Sequence, residues 1–322
     1  MKVPIKVFMA GFMMFLVAAC SDSARVPEES TFGPNPILPE PNETLIPTIN
    51  IAPAKGWPAD AKPIAASGLS VSAYAAGLDH PRWLYVLPNG DVLVAETNGP
   101  PRPEDGRGIR GWIYQLVQGW VGAGVPSANR ITLLRDADGD GVAQLRSIFL
   151  QDLNSPFGMA LIGQDLYIAN TDAVMRFNYA DGDTVIRGPG VKVCDLPAGP
   201  LNHHWTKNLI AGLDGKHLYV AIGSNSNAAE NGLDKEDRRA SILEIDISNG
   251  QSRVFASGLR NPVGMAWEPE TGALWTVVNE RDELGSDLVP DYLTLRRSGR
   301  YRRHDCRTRR AQCCLRGCHP LV

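Results

Sequence analysis

Residues His203 to Asn225 read HHWTKNLIAGLDGKHLYVAIGSN. A polar entry with adjacent histidines leads into a short apolar segment, an Asp-Gly turn and a second apolar segment. Asp-Gly accepts the positive φ of a tight hairpin turn, and the branched and aromatic residues on either side suit strands. The same order recurs in GLDHPRWLYVLPNGDVLVAETN (77–98), DLNSPFGMALIGQDLYIANTD (152–172) and GLRNPVGMAWEPETGALWTVVNE (258–280).

Repeats on this scale decide an architecture before any single element does. The second segments (DVLVAE, DLYIAN, HLYVAIG, ALWTVVN) are short and apolar almost throughout, and no stretch has a helical period of useful length. The expectation is an all-β chain of hairpin units. Such units cannot bury both faces alone, and radial stacking of small antiparallel sheets gives a β-propeller. A β-sandwich would not repeat the loop-strand-turn-strand order so regularly. Ser67 to Thr294 is 228 residues, a length that suits four to five blades.

The chain outside that body is of a different kind. Residues 1–19 have the lysines, apolar run and small residues of an export signal, and Val17-Ala18-Ala19-Cys20 resembles a bacterial lipobox. This implies a lipid anchor on Cys20, with Ser21 pointing to the outer membrane and a periplasmic location. Residues 20–66 are rich in proline and read as a tether. From Leu295 the chain turns basic, with nine arginines, one acid and four cysteines in a protein of net charge −3. Cys306, Cys313, Cys314 and Cys318 form no CxxC pair, so a zinc site is not indicated. Nucleic acid is not an expected partner. Residues 295–322 read as foreign to the fold, as a shifted reading frame would make them.

In a propeller the loop before each inner strand reaches the central axis. Here those positions are His80-Pro81-Arg82, Asn154-Ser155-Pro156, His203-His204-Trp205 and Arg260-Asn261-Pro262. A core strand needs none of these polar groups, so their recurrence marks a candidate site.

NHHWTKNLIAGLDGKHLYVAIGSNSN, SGLRNPVGMAWEPETGALWTVVNERDELGSDLVPDYLT and DADGDGVAQLRSIFLQDLNSPFGMAL resemble the glucose/sorbosone dehydrogenase family, in its sorbosone dehydrogenase-like branch. The resemblance covers residues 67–294. It implies a six-bladed propeller, here incomplete at four to five blades, that oxidises an aldose or sugar aldehyde with pyrroloquinoline quinone (PQQ) and calcium and passes electrons to a downstream acceptor. Carried over by position, His204 matches the catalytic base, with His203 the alternative in a shifted register. Arg260, Asn261 and Asn154 match quinone contacts, although Leu153 stands where the soluble glucose enzymes carry a glutamine. Backbone carbonyls near Arg281 and Asp282 match calcium ligands, and the side chains of Glu280 and Asp282 could add to them. Family members also grip the quinone carboxylates with basic residues of later blades. None aligns here, so the activity expected of this chain is impaired.

Three other readings follow from the residues. Asp136, Asp138 and Asp140 with Gly141 resemble a calcium loop, but Ser147 stands where a bidentate glutamate belongs. Cys194 is expected to be a free, partly buried thiol. PPRPEDGRGIRGW (100–112) reads as a solvated loop. The competing functions are a calcium-dependent lactonase-like hydrolase and a non-catalytic binding propeller.

Overall fold

The computed structural model describes residues 24–31, 36–42, 52–58, 61–100 and 108–296. The export signal, Cys20 and the tail beyond Arg296 lie outside the described residues. The chain divides into two compact units, one of residues 51–278 with 293–296, the other of residues 1–50, 279–292 and 297–322.

The larger unit is a run of four antiparallel sheets, the blades of an incomplete propeller. Blade 1 is β1 (Pro81–Val86), β2 (Val92–Glu96), β3 (Arg130–Arg135) and β4 (Leu145–Leu150), paired in chain order. Blade 2 is β5 (Met159–Ile162), β6 (Asp165–Ala169), β7 (Ala173–Asn178) and β8 (Val191–Asp195), and blade 3 is β9 (Leu209–Ala211), β10 (His217–Ile222), β11 (Ser241–Asp246) and β12 (Ser252–Ser257). Blade 4 has three strands, β13 (Asn261–Trp267), β14 (Leu274–Asn279) and β15 (Tyr292–Arg296). Each quoted repeat is the opening hairpin of a blade, with Gly90 (φ 90°) and Gly215 (φ 63°) supplying the positive φ of the turn.

The core lies between blades. Leu93, Ala95, Ile131, Leu133 and Phe149 of blade 1 pack against Met159, Leu166, Ile168 and Phe177 of blade 2. Ala160, Tyr167, Ala169 and Val174 of blade 2 pack against Leu218, Val220, Ile222, Leu243 and Ile245 of blade 3. A middle strand is thus covered on both faces, which is why the second segments of the repeats are apolar almost throughout. The first strands β5, β9 and β13 lie side by side, so the loops that enter them come together.

One buried charge fixes the entry to blade 1. Glu96 is fully buried, and Arg130 reaches its two oxygens at 3.1 and 2.9 Å. Thr132 and the Asp79 backbone N–H also donate to it. Burial pushes this carboxyl up, but the Arg130 guanidinium and the other donors outweigh it and hold its pKa below the ordinary range. The carboxylate therefore pins the residue preceding His80.

The all-β expectation holds for the blades, and one insertion between strands adds a helix. Between β2 and β3 the chain forms a helix, α1 (Gly108–Trp120), which takes in the end of the segment read from sequence as a solvated loop. Gly108, Gly111 and Gly119 are poor helix formers and mask the period. Residues 101–107 of that segment lie outside the described residues.

The smaller unit contains the turn after β14 and the described pieces of the segment before residue 50. Arg25 and Val26 donate backbone N–H groups to Asp287, and Asn42 N–H reaches the Leu284 carbonyl at 3.0 Å.

On the outer strands of blade 1, Leu84, Val86 and Ile148 stand 61%, 62% and 48% exposed, although Val94, Thr132 and Leu134 on the same face are buried. Exposed apolar side chains on outer strands favour association. The chain is expected to self-associate with rising concentration, and replacing all three residues by threonine should shift the equilibrium towards monomer, as read by sedimentation velocity.

Candidate functional site

The loops of blades 1, 2 and 3 are tied together around Trp205. The Arg82 guanidinium lies over its ring at 5.7 Å, and Phe157 meets the ring edge-on at 6.1 Å while packing against Trp83 at 5.2 Å. Gly99 touches the same ring so closely that a Cβ there would sit 2.8 Å from the indole nitrogen. Thr171 Oγ1 donates to the Trp205 carbonyl at 2.9 Å, and its backbone N–H donates to the Asn154 carbonyl at 3.0 Å. Blades 1, 2 and 3 thus meet at one aromatic side chain, and the Asn154 side chain stands exposed beside this junction.

His204 directly precedes Trp205 in the same loop. Its Nδ1 lies 2.9 Å from the Ser224 carbonyl and 3.0 Å from Ser224 Oγ. A carbonyl only accepts, so the Nδ1 facing it carries the proton and the lone pair sits on Nε2. Ser224 in turn donates its N–H to the Arg260 carbonyl at 2.8 Å. The main chain of Ser224 therefore couples His204 on blade 3 to Arg260 on blade 4.

Gly223 permits that coupling. A Cβ at this position would lie 2.3 Å from His204 Cβ and 2.5 Å from Asn261 Oδ1. The backbone passes between the two side chains with no room for a methyl group. Asn261 Oδ1 is buried and has no hydrogen-bond partner among the described residues. An orphaned acceptor in such a place is costly unless a ligand satisfies it. The Arg260 guanidinium is fixed from behind, donating through Nε to the Asn227 carbonyl at 2.8 Å and through Nη2 to Asn227 Oδ1 at 2.7 Å.

Several supporting residues went unassigned in the sequence. Ser224 and Asn227 sit in GSNSN, where the run of small polar residues directly after a strand was the available signal. Asn225 is fully buried; it takes both Glu236 oxygens on its N–H at 3.2 and 3.0 Å and gives its carbonyl to His203 N–H at 3.2 Å. Glu236 itself is pushed up by burial.

Lys207 is the least expected of them. It is fully buried, with Nζ 3.1 Å from the Trp205 carbonyl and 3.4 Å from both the His204 carbonyl and Asn202 Oδ1. Arg239 shares Asn202 Oδ1 at 3.1 Å and also donates to the Ala198 carbonyl at 2.7 Å. Burial, reinforced by the Arg239 charge, brings the Lys207 ammonium down to about 7. The amine ties the carbonyls of the two residues that centre the site.

Arg281 and Asp282 belong to the smaller unit, in the turn after β14. Arg281 Nε is buried and has no partner among the described residues, while Asp282 is exposed. Asp136, Asp138 and Asp140 bring carboxylate oxygens within 4.8 Å of one another, a spacing that suits a cation. Gly139 and Gly141 already donate to Asp136, and Gln144 donates to Asp138 and Asp140. Cys194 is a half-buried free thiol whose pKa burial raises.

The Lys207 shift gives stability a pH dependence of known sign. The folded state releases the proton near 7 and the unfolded chain near 10.5, so between these values the unfolded state binds more protons and stability rises with pH. Denaturant melts should show a Lys207→Met variant losing that rise, which for one group approaches about 1.4 kcal/mol per pH unit.

A family profile described as TrAA12-like matches residues 126–290. Among solved structures, the chain is similar to the iodide form of the Trichoderma reesei carbohydrate-active enzyme of family AA12, at 19% identity and a TM-score of 0.56 over 72% of this chain and 55% of that one. It is also similar to the holo form of the pyranose dehydrogenase PQQ domain from Coprinopsis cinerea, at 17% identity and a TM-score of 0.52 over 67% of this chain and 48% of that one. The chain spans about half the length of these structures. No curated protein sequence matches it. The profile takes in more than half of the 322 residues and all of blades 2 and 3 together with the His204–Ser224–Arg260 junction, and the chain belongs to the TrAA12-like family.

Proposed function

We propose that this protein oxidises a sugar or sugar aldehyde with PQQ, His204 removing the proton of the reacting hydroxyl group. The observation that carries this reading is the junction at Gly223, where His204, the orphaned Asn261 Oδ1 and the braced Arg260 are held by one strand end. Membership of the TrAA12-like family and the fold shared with a PQQ domain support it.

The residues present fit part of the quinone, since none aligns with the basic residues that grip its carboxylates, and the turnover expected is impaired accordingly. Arg260, Asn261 and Asn154 would hold it, and a guanidinium near the reacting carbonyl would stabilise the negative charge that develops there. Bound PQQ would supply the two-electron acceptor for the hydride. On the protein side, Nε2 of His204 takes the hydroxyl proton as hydride leaves the same carbon. The Ser224 carbonyl keeps the ring in the tautomer that leaves Nε2 able to accept. Trp205, closed in by Phe157 and Gly99, walls the loop junction with aromatic surface. The carbonyls of Arg281 and Asp282 would bind calcium, and hard oxygen ligands suit that ion. The sorbosone dehydrogenase-like branch, an external electron acceptor and periplasmic anchoring through Cys20 are part of the same proposal and rest on the sequence motifs.

Titrating the chain with PQQ and calcium, followed by visible absorbance and calorimetry, tests the reading. Saturable binding that weakens in Asn261→Ala is expected. No binding at all would return the chain to a non-catalytic propeller. In a dye-reduction assay His204→Ala should lower turnover about 10²- to 10⁴-fold while leaving PQQ affinity unchanged.

Gly223→Ala should act on both sides of the junction, because the added methyl meets His204 and Asn261 together. The expected result is weakened PQQ binding in the same titration, with thermal melting reporting the strain separately.

A further inference from the structure

Helix α1 wears its apolar face outward. At about 100° per residue, Trp112, Leu116, Trp120 and Ile113 fall within one arc of about 100°. They are 61%, 55%, 62% and 50% exposed. Gly111, on the opposite side of the helix, is the buried residue, and Gln118 next to it is half-buried. A helix that packs onto a core by its apolar side shows the reverse order. The stripe is also held in place at its end: Gly122 (φ 73°) turns the chain and Ala123 N–H closes on the Gln118 carbonyl at 2.9 Å.

Three observations bear on what covers this stripe. Helix α1 itself contains no acidic residue and one arginine, Arg110, with Arg107 just before it and Glu104 and Asp105 further upstream. A stripe flanked by arginine and free of acids suits an anionic surface. Tryptophan is the residue that bilayer interfaces enrich, and two stand on the same stripe. Finally, Ala54 N–H lies 3.4 Å from the Trp120 carbonyl, and a Cβ on Gly122 would lie 3.1 Å from Ala54 Cβ. The segment around Ala54 thus lies at the C-terminal end of α1.

We propose that α1 docks the larger unit on an anionic phospholipid bilayer, with Trp112, Ile113, Leu116 and Trp120 entering the headgroup–acyl boundary. No helix among the described residues is long and apolar enough to cross a membrane, and a short helix lying in the interface plane needs no such length. The proposal is independent of the redox chemistry.

The test reconstitutes the full chain into vesicles with brominated acyl chains, either pure phosphatidylcholine or an equimolar mixture with phosphatidylglycerol. Tryptophan quenching about twofold stronger in the mixed vesicles is expected. Trp112→Gln with Trp120→Gln should abolish it, whereas Trp267→Phe, whose indole donates to the Ala211 carbonyl at 2.7 Å inside the larger unit, should leave it intact. Flotation of the chain reports the anchor separately. A chain that floats with the vesicles but whose quenching is untouched by the paired substitution overturns the docking and leaves the anchor standing. A vesicle-free oligomer that the paired substitution dissolves overturns it in favour of a second copy.

Discussion

The structure depends on one constraint: a short apolar strand in the middle of a small sheet has two faces to bury and only its neighbours to bury them against. Leu93 and Leu133 of blade 1 are covered by blade 2, and Tyr167 and Val174 of blade 2 by blade 3. Each sheet is stable because the next exists, so stability is shared along the stack rather than held within one blade. On the outer strand β1, the side chains of Leu84 and Val86 have no such cover.

The site is a by-product of that stacking. When sheets pack in this way their first strands come side by side, and the loops entering them have nowhere to go but together. The chain then uses three backbone devices to set the side chains. Glu96 pins the approach to β1 through the Asp79 N–H, Gly223 lets two side chains close over a strand end, and the Ser224 main chain joins His204 to Arg260. Lys207 adds a buried amine that spans carbonyls of the same loop. Polar groups at such depth must be partnered or are costly, and nearly all of these are partnered.

The opening hairpins were legible because turn chemistry and apolar continuity are local: GLDGK and LPNGD announce their turns without reference to anything distant. The outer strands β3, β4, β7 and β8 lacked such signals and emerge only from pairing. Convergence of the polar triplets followed from the propeller reading, and the structure brings His204, Arg260 and Asn261 to one junction. The roles of Gly223 and Lys207 were not legible, because the burial of the Lys207 amine and the approach of Asn261 to Gly223 from blade 4 are set by tertiary packing. Helix α1 was hidden because Gly108, Gly111 and Gly119 lower its helix propensity and mask its apolar arc. The smaller unit, with Arg281 and Asp282, carries too little regular structure to be read from pattern.

The hydrogen bond from His204 Nδ1 to the Ser224 carbonyl has a dynamic corollary. That nitrogen is a donor whether the ring is neutral or cationic, so gaining a proton at Nε2 demands no rotation of the imidazole. The carbonyl oxygen, already polarised by the Asn225 N–H of the same peptide group, which donates to Glu236, can accept that hydrogen bond from either form of the ring. A ring mounted in this way can be charged and discharged repeatedly with almost no rearrangement of the chain that carries it.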